Sequence, residues 1–260
     1  MPDAEIFLEV THVAKNFGGV RAVVDGWLSV PKGTTVGLIG PNGAGKSTMI
    51  EMISGFLAPD SGKIILAGEE IQGKPAHQVA ERGLIRTFQT PREWRGLTVM
   101  ENMLLAADQK GRDAAWRAIF ARRKLRAAEQ LDRARARELL ERFGLLALRD
   151  EFAGSLSGGQ KRLLEFARIA MRSPRVVLLD EPCAGVNPVL QRNIEEAIVG
   201  LQQDGITVLL VEHNLPFVER ACQDIYVMAQ GTTIAEGSLA ELRKVPAVID
   251  AYLGEVEAIA

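Results

Sequence analysis

The chain has 260 residues, of which 47% are hydrophobic and 25% are charged, and this composition excludes a mainly disordered protein. Its 31 Lys and Arg residues are nearly balanced by 33 Asp and Glu residues, which argues against a protein that binds nucleic acid through overall positive charge. No apolar run approaches the roughly 20 residues that span a bilayer. We therefore expect any association with a membrane to come through a partner.

The first residues and the cysteines indicate the compartment. The start of the chain lacks the charged and then apolar regions of a secretory signal, so we expect a cytoplasmic protein. Only two cysteines occur, Cys183 and Cys222, and their spacing matches neither a metal site nor a disulfide framework. We expect both to be small core residues.

The predicted elements begin with antiparallel strands. Residues 6–10 and 20–30 have the pattern of strands on either side of a turn at Gly18 and Gly19. Residues 63–67 predict another short strand that could return to the same sheet.

A parallel α/β core follows in the chain. Residues 36–39 form a compact apolar run, followed at once by glycines and by helical spacing over residues 49–53, which is the order of a parallel α/β unit. Buried strands are predicted again at residues 176–179 and 207–211, with a helix between them.

Between these strands lies a helical and basic insertion. Residues 99–143 have helical periodicity, and Gly144 is placed to end the helix. Residues 110–142 carry a net charge of +6, whereas the remainder of the chain carries −8. The segment is either a solvated helix pair, which we favour, or a functional basic surface.

Residues 40–48 predict a phosphate-binding loop. They read Gly-Pro-Asn-Gly-Ala-Gly-Lys-Ser-Thr, which matches G-x-x-x-x-G-K-[ST] between a predicted strand and a predicted helix. Glycines let backbone N–H groups turn toward a phosphate, and the helix N-terminus adds its positive dipole end. Lys46 would offset charge on the β- and γ-phosphates, and the Ser47 hydroxyl suits Mg²⁺. The alternative is a glycine-rich turn that merely caps a helix.

A second acidic element is predicted where the strand at residues 176–179 ends. Asp180 follows that strand directly, at the edge where parallel sheets bind ligands, and it is placed to hold Mg²⁺. Glu181 is one step further on and suits a carboxylate that orients or deprotonates the attacking water. The alternative is a pair of ordinary loop carboxylates.

Residues 156–160, which read Leu-Ser-Gly-Gly-Gln, predict a second anion-binding helix N-terminus. Two such ends on different subdomains cannot easily reach the same γ-phosphate, so a head-to-tail pair of chains is the natural way to use both. The alternative is that Ser157 is a plain helix cap.

The order of these segments resembles that of ATP-binding cassette (ABC) ATPases over essentially the whole chain. The phosphate loop, Gln89, residues 156–160, the pair Asp180 and Glu181, and His213 come in the family's order. The resemblance implies an α/β P-loop NTPase (RecA-like) core with an N-terminal antiparallel β subdomain and an inserted α-helical subdomain. The expected core and β subdomain are residues 1–88 and 161–260, and the expected helical subdomain is residues 89–160.

The resemblance also implies roles for individual residues toward ATP and Mg²⁺. Phe17 would stack on adenine, Gln89 would reach Mg²⁺ and water, and His213 would touch the γ-phosphate, whereas without the family context Phe17 and His213 read as packing or capping residues. Ser157 and Gly159 would contact ATP held by the opposite subunit. The expected site consists of catalytic Glu181 and His213; nucleotide-binding Phe17, Gly40, Pro41, Asn42, Gly43, Ala44, Gly45, Lys46, Ser47, Thr48, Gln89 and Asp180; signature residues Leu156, Ser157, Gly158, Gly159 and Gln160; and the Mg²⁺ ligands Ser47, Gln89 and Asp180.

Within that family the chain is similar to the ATP-binding subunits of branched-chain amino acid importers. The closer likeness lies in the long helical insertion and in residues 86–89, 184–188 and 248–255. Asn187 departs from the Asp that many members carry, and with Pro188 it also fits a helix N-cap. The resemblance implies an ATPase that dimerises around two ATP molecules and powers import of branched-chain or related amino acids.

The implied partners are a second ATP-binding subunit, the same or a paralogue, transmembrane permease subunits and, indirectly, an extracytoplasmic substrate-binding protein. The chain would then lie on the inner face of the membrane, and no nucleic acid partner is expected. Alternatives are import of urea or amides, export of a lipid, and a non-transport ABC ATPase acting on nucleic acid or ribosomes. The last is disfavoured because a tandem cassette, a long coiled coil and a basic overall charge are absent from the sequence.

Residues 90–99 lead from Gln89 into the helical insertion. We expect Trp94 and Leu97, which stand among charged residues, to form a groove for a short permease helix. The alternative is a structural loop in which Trp94 packs on the insertion.

Overall fold

The computed structural model describes residues 5–87, 93–107 and 122–257. Their contacts divide the chain into two compact units, one comprising Met1–Gln89 with Arg175–Ala260 and the other comprising Thr90–Pro174. The sequence-based boundary placed residues 161–174 with the core, whereas the contacts group them with the second unit.

The first unit is built around one ten-stranded sheet among the described residues. Its strands are β1 (Ile6–Phe17), β2 (Val20–Pro31), β3 (Thr35–Ile39), β4 (Ser61–Leu66), β5 (Glu69–Glu70), β6 (Leu84–Arg86), β7 (Val176–Asp180), β8 (Thr207–Val211), β9 (Asp224–Ala229) and β10 (Thr232–Gly237). Their spatial order is β5-β4-β1-β2-β10-β9-β3-β8-β7-β6.

The N-terminal strands form the antiparallel part of this sheet. β1 pairs antiparallel with β2 and, on its other side, with β4. Both pairings confirm the arrangement predicted from the sequence. Trp27 joins this part to the rest of the sheet, because its Nε1 donates to the carbonyl oxygen of Thr233 at 3.1 Å.

The other part of the sheet contains the parallel strands. β3 lies between β8 and β9 and is parallel to both, and β7 is parallel to β8 and to β6. Every residue of β3, β7 and β8 is buried, as expected for parallel strands that are covered on both faces. The near-continuous apolar runs that marked these strands in the sequence reflect this burial.

Helices cover the sheet of the first unit. They are α1 (Lys46–Ile53), α2 (Ala76–Glu81), α6 (Pro188–Gln203), α7 (Leu215–Ala221), α8 (Leu239–Leu242) and α9 (Pro246–Glu257). Helix α6 begins as the sequence predicted, because the Asn187 side chain accepts a hydrogen bond from the Leu190 N–H at 2.9 Å and Pro188 opens the first turn.

The second unit is helical. Its described helices are α3 (Val99–Ala106), α4 (Arg122–Arg142) and α5 (Gly158–Arg172), with short 3₁₀ turns at Leu146–Leu148 and Ala153–Ser155. Fully buried Met103, Ala136 and Leu164 bring one side chain from each helix into its core. Gly144 has a φ of 67° just after α4, which confirms its predicted role in ending that helix.

Residues 108–121 of the basic insertion lie outside the described residues. Within the described ranges, no helix has the length and the apolar character that crossing a membrane requires.

Candidate nucleotide-binding site

Three loops of the first unit meet at one edge of its sheet. Leu38 of β3 and Asp180 of β7 both stand opposite Val211 of β8, so these parallel strands end at the same level. Neighbouring strands are about 4.8 Å apart, which puts the loop after β3 about 10 Å from Asp180 across β8. This edge therefore collects the predicted phosphate loop, the predicted acidic pair and the residues that follow β8.

The phosphate loop needs glycine at two positions because backbone passes very close to it. Gly40 has a φ of 150°, and a Cβ there would lie 2.1 Å from the carbonyl oxygen of Met228. Gly45 has a φ of 99°, and its Cβ would lie 2.6 Å from the carbonyl oxygen of Ala22. The loop is thus pressed against β2 and β9, and a larger residue at either position would displace it.

The ammonium group of Lys46 binds backbone carbonyls of its own loop. Lys46 is only 9% exposed, and its Nζ donates to the carbonyl oxygens of Gly40 at 2.6 Å and Pro41 at 2.8 Å. Helix α1 starts at Lys46 with Gly45 as N-cap, and no side-chain oxygen caps it. A helix start with no side-chain acceptor and a neighbouring ammonium group is suited to an anion.

The donor set at this edge fits a magnesium nucleotide. No group of three or more His, Cys, Asp or Glu side chains that could hold a metal occurs in the ranges that the structure describes. Mg²⁺ accepts one or two protein oxygens when phosphate oxygens complete its shell, and the Ser47 hydroxyl and the Asp180 carboxylate are hard ligands of this kind. Gln89, the third predicted ligand, lies outside the described residues.

Asp180 already has a cationic neighbour that the sequence reasoning did not assign. Arg86 at the end of β6 places Nη2 at 3.0 Å from the Asp180 carboxylate, and the two side chains are only 12% and 7% exposed. The Thr87 Oγ1 accepts a hydrogen bond from the Asp180 N–H at 3.3 Å. Both contacts join positions more than 90 residues apart in the sequence, so only the pairing of β6 with β7 reveals them.

Glu181 has a strained backbone. Its φ is 45°, in the left-handed region that costs an L-residue with a Cβ about 1–2 kcal/mol. The Glu181 N–H donates to the carbonyl oxygen of Val211 at 2.9 Å, which continues the pairing of β7 and β8 by one residue. The backbone is therefore strained at the predicted catalytic carboxylate, and strained backbone conformations are common at functional sites.

The residues after β8 include a buried carboxylate that sequence reasoning missed. Glu212 is 0% exposed, and it accepts hydrogen bonds from the Cys183 N–H at 2.8 Å and from the His213 N–H at 3.1 Å. The available signal was a Glu directly after an apolar strand and directly before His213. Cys183 is buried as predicted, whereas Cys222 is only partly buried; burial, with a smaller contribution from the charge of Glu212, raises the pKa of its thiol to about 12.

His213 and Phe17 both reach solvent. The His213 side chain is 67% exposed, and Asn214 rather than His213 caps helix α7, so the reading of His213 as a packed or capping histidine is wrong. Phe17 ends β1 and is 49% exposed, with the Lys15 Nζ 5.9 Å from its ring centroid. Neither side chain is part of the core.

In the second unit, Ser157 is the N-cap of α5. Its side chain accepts from the Gln160 N–H at 3.3 Å, while the Gln160 side chain accepts from the Ser157 N–H at 2.9 Å. This reciprocal pair is a capping box, so the capping role considered for Ser157 is confirmed. Ser157 and Gly158 are exposed and Leu156 is buried; contact of residues 156–160 with a second chain's ATP stays a prediction.

Trp94 is held at its backbone by fully buried Asn102 in the same unit. The Trp94 N–H donates to the Asn102 side chain at 3.0 Å, and that side chain donates to the Trp94 carbonyl at 3.1 Å. The Arg168 guanidinium lies 4.2 Å from the ring centroid, yet Trp94 remains 45% exposed. Next to it, burial pushes the pKa of Glu93 upward, but hydrogen bonds that include those from Lys161 and Arg95 hold it below its ordinary value.

Comparison with known proteins assigns the chain to one family. Residues 25–184 match the ABC transporter family. The chain is 39% identical over 247 residues to a probable branched-chain amino acid transport ATP-binding protein LivG of Archaeoglobus fulgidus, covering 95% of both chains. It is also 39% identical over 249 residues to the high-affinity branched-chain amino acid transport ATP-binding protein BraF of Pseudomonas aeruginosa, covering 95% of this chain and 98% of the relative.

Solved structures agree with the sequence relatives. A nucleotide-free ATP-binding cassette from an ABC transporter is 35% identical with a TM-score of 0.79, covering 95% of this chain and 98% of the other. The ADP conformation of an ATP-binding cassette of an ABC transporter is 34% identical with a TM-score of 0.80, covering 96% and 99% of the two chains. The predicted P-loop NTPase fold is thereby confirmed.

Proposed function

Because the chain belongs to the ABC transporter family, whose ATP-binding subunits hydrolyse ATP, we propose that it powers an importer of branched-chain or related amino acids. The observation that carries the ATPase assignment is the shared level of β3, β7 and β8, which gathers the phosphate loop, the acidic pair and His213 at one edge. The names of the relatives support the solute, since they match 95% of the chain.

The residues at this edge divide the work of hydrolysis. Lys46 and the backbone of the loop hold the β- and γ-phosphates of ATP, and Ser47 and Asp180, with Gln89, would hold Mg²⁺. When bound, the metal would supply positive charge that offsets the negative charge of the phosphates. Phe17 offers its half-exposed ring to adenine.

Glu181 is the general base in this proposal. It accepts a proton from the water whose oxygen bonds to the γ-phosphorus, while the bond from that phosphorus to the ADP oxygen breaks. His213 follows β8, the strand next to β7, and its side chain is exposed. In this proposal it contacts the γ-phosphate and helps to orient it. The products are ADP and inorganic phosphate.

Two chains complete each site. Residues 156–160 begin a helix whose N-terminus suits an anion, and we assign them to the ATP held by a second subunit, identical or paralogous. Transmembrane permease subunits bind this ATPase at the inner face of the membrane, and an extracytoplasmic binding protein delivers the solute to them. No nucleic acid takes part.

Lys46→Ala tests the ATPase assignment. The variant should bind ATP weakly and lose nearly all hydrolysis while remaining folded, because no ammonium group is left at this position to offset phosphate charge. Lys63→Ala is the matched control, since that lysine is 62% exposed in a surface pair with Glu70 and should change neither quantity. Equal hydrolysis by both variants would refute the assignment.

Uptake tests the solute. The chain should be coexpressed with the permease and binding-protein genes adjoining its own, and uptake of labelled leucine and labelled urea should be compared in cells. Leucine uptake that depends on Lys46 is expected. Uptake of urea without uptake of leucine, or export of a lipid, would instead assign the ATPase to one of the alternative transporters.

A further inference from the structure

We propose that Glu212 is a positioning residue that holds the Glu181 loop and His213 in a fixed relation to each other. The proposal rests on the function proposed above, because it takes Glu181 and His213 as the groups that act on water and γ-phosphate. The observation behind it is a single buried carboxylate that binds the backbone of both segments.

The loop that carries Glu181 is tied to the end of β8 at two points. The Glu181 N–H donates to the Val211 carbonyl at 2.9 Å, and two residues later the Cys183 N–H donates to Glu212 Oε1 at 2.8 Å. The first tie is entirely backbone. The second is the one that uses a side chain, so a substitution at Glu212 can release one end of the loop without breaking the β7–β8 pairing.

The same carboxylate reaches the next segment. Glu212 Oε2 accepts from the His213 N–H at 3.1 Å, so each of its oxygens binds one of the two segments. The His213 imidazole is exposed and its Nδ1 lies 3.8 Å from Glu212 Oε2, beyond hydrogen-bond distance, so the hydrogen bond to the carboxylate is made by the His213 backbone. A displacement of the Cys183 end of the loop is therefore transmitted through one rigid group to His213.

Because Glu212 is buried, its carboxylate depends on these hydrogen bonds. Glu212 is 0% exposed, and a buried polar group is retained only when its partners satisfy it. Both partners are N–H donors, which only acceptor atoms can satisfy. A Gln side chain keeps the size but presents one carbonyl oxygen and one NH₂ group, so it can satisfy one of the two donors and must oppose the other.

The backbone at Glu181 is strained, and the hydrogen bond from Cys183 to Glu212 helps to keep it in this conformation. Its φ of 45° is a strained conformation that persists only where surrounding contacts enforce it. The Val211 carbonyl binds the Glu181 N–H, and the Glu212 carboxylate binds the Cys183 N–H two residues later. Loss of the carboxylate should let the turn relax and move the Glu181 side chain away from the water that it activates.

Glu212→Gln in the full chain is the deciding variant. We expect kcat for ATP hydrolysis to fall about 10- to 100-fold, as loss of a group that orients catalytic residues commonly does, with the ATP dissociation constant changed less than about threefold. Hydrogen exchange, followed by mass spectrometry, should accelerate in peptides that contain Cys183 and His213. Exchange in the peptide that contains Lys46 should stay unchanged.

Two further variants separate positioning from general stability. Val208→Ala truncates a fully buried side chain in β8, the strand that Glu212 follows, and should lower the unfolding temperature without the fall in kcat. Glu212→Asp keeps the charge but is one methylene shorter, so it should lose one hydrogen bond and reproduce the low kcat. If Val208→Ala loses kcat in proportion to stability, or if neither Glu212 variant folds, Glu212 serves the fold and the proposal is overturned.

Failure of this proposal and failure of the proposed function look different. A wild-type chain that does not hydrolyse ATP would refute the function. A wild-type chain that hydrolyses ATP, a Glu181→Gln variant that does not, and a Glu212→Gln variant with normal kcat and normal exchange at Cys183 and His213 would refute the positioning role alone.

Discussion

The Arg86 guanidinium lies 3.0 Å from the Asp180 carboxylate, and both side chains are almost fully buried. Asp180 is also the carboxylate that we assign to Mg²⁺. The guanidinium is therefore a cation already paired with the predicted metal ligand, placed there by the pairing of β6 with β7. Removing either partner of such a buried pair leaves an uncompensated charge, which costs about 3–5 kcal/mol.

Arg86→Ala should make the stability of the chain more dependent on Mg²⁺. The variant should unfold at a lower temperature than wild type, and Mg²⁺ with ADP should raise that temperature, relative to ADP with a chelator, by more than it does in wild type. The physical reason is that Mg²⁺ can supply the positive charge that Asp180 has lost. Thermal unfolding under the two conditions measures this increment.

The double variant Arg86→Ala with Asp180→Asn is the control for that experiment. It removes both charges, so it should recover part of the lost stability and lose the additional increment from Mg²⁺. If Arg86→Ala and wild type gain equally from Mg²⁺, then Arg86 and the metal do not share Asp180.

Ser157 offers a way to separate capping from ATP contact. Ser157→Ala removes the cap of α5 and should destabilise the second unit by about 1 kcal/mol. Ser157→Asp keeps a good cap and should keep the unfolding temperature, but its charge would face the phosphates of the other subunit's ATP. We expect Ser157→Asp to hydrolyse little ATP despite normal stability.

Mixing variants checks that the contact crosses between chains. Equal amounts of Lys46→Ala and Ser157→Asp can form one intact composite site per mixed dimer, so the mixture should regain activity that neither variant shows alone. Normal hydrolysis by Ser157→Asp alone would show that the hydroxyl serves only as a cap.

Glu181 combines strain with proposed chemistry, and two substitutions separate them. Glu181→Gln keeps the backbone strain and should bind ATP without hydrolysing it, so the chain should accumulate as an ATP-dependent dimer by light scattering. Glu181→Gly relieves a φ of 45° and should raise the free energy of unfolding by up to about 1 kcal/mol while hydrolysis is equally lost. A hydrolytically normal Glu181→Gln would move the base to another residue.

Local patterns explain which parts of the site could be predicted from the sequence. The phosphate loop, the Asn187 cap and the stop at Gly144 depend on residues a few positions apart, and the structure shows the predicted backbone at each. The pairs of Arg86 with Asp180 and of Glu212 with Cys183 join residues 94 and 29 positions apart. These contacts depend on strand order, which apolar periodicity does not encode.

Trp94 combines a fixed backbone with a half-exposed ring, and this pairing bears on the choice between docking and packing. Asn102 holds the backbone on both sides, and Arg168 covers the ring at 4.2 Å, so Trp94 is firmly placed within the second unit. Its exposed fraction of 45% leaves a large rigid aromatic surface in reach of a partner. Aromatic residues with few rotatable bonds supply much of the binding energy at protein interfaces.

Trp94→Ala should therefore impair the permease contact more than the ATPase. We expect ATP hydrolysis by the isolated subunit to stay within a few-fold of wild type. The missing contact with Arg168 should lower the free energy of unfolding by about 0.5–1 kcal/mol. Copurification with the permease and solute uptake should both fall clearly. Trp94→Phe should recover part of the association, and Leu131→Ala, which removes a 72% exposed apolar side chain from the same unit, should leave it unchanged. Because Asn102 binds only the backbone of Trp94, truncation of the ring spares those hydrogen bonds. An equal loss of hydrolysis and association would instead show that the ring serves the packing of the second unit.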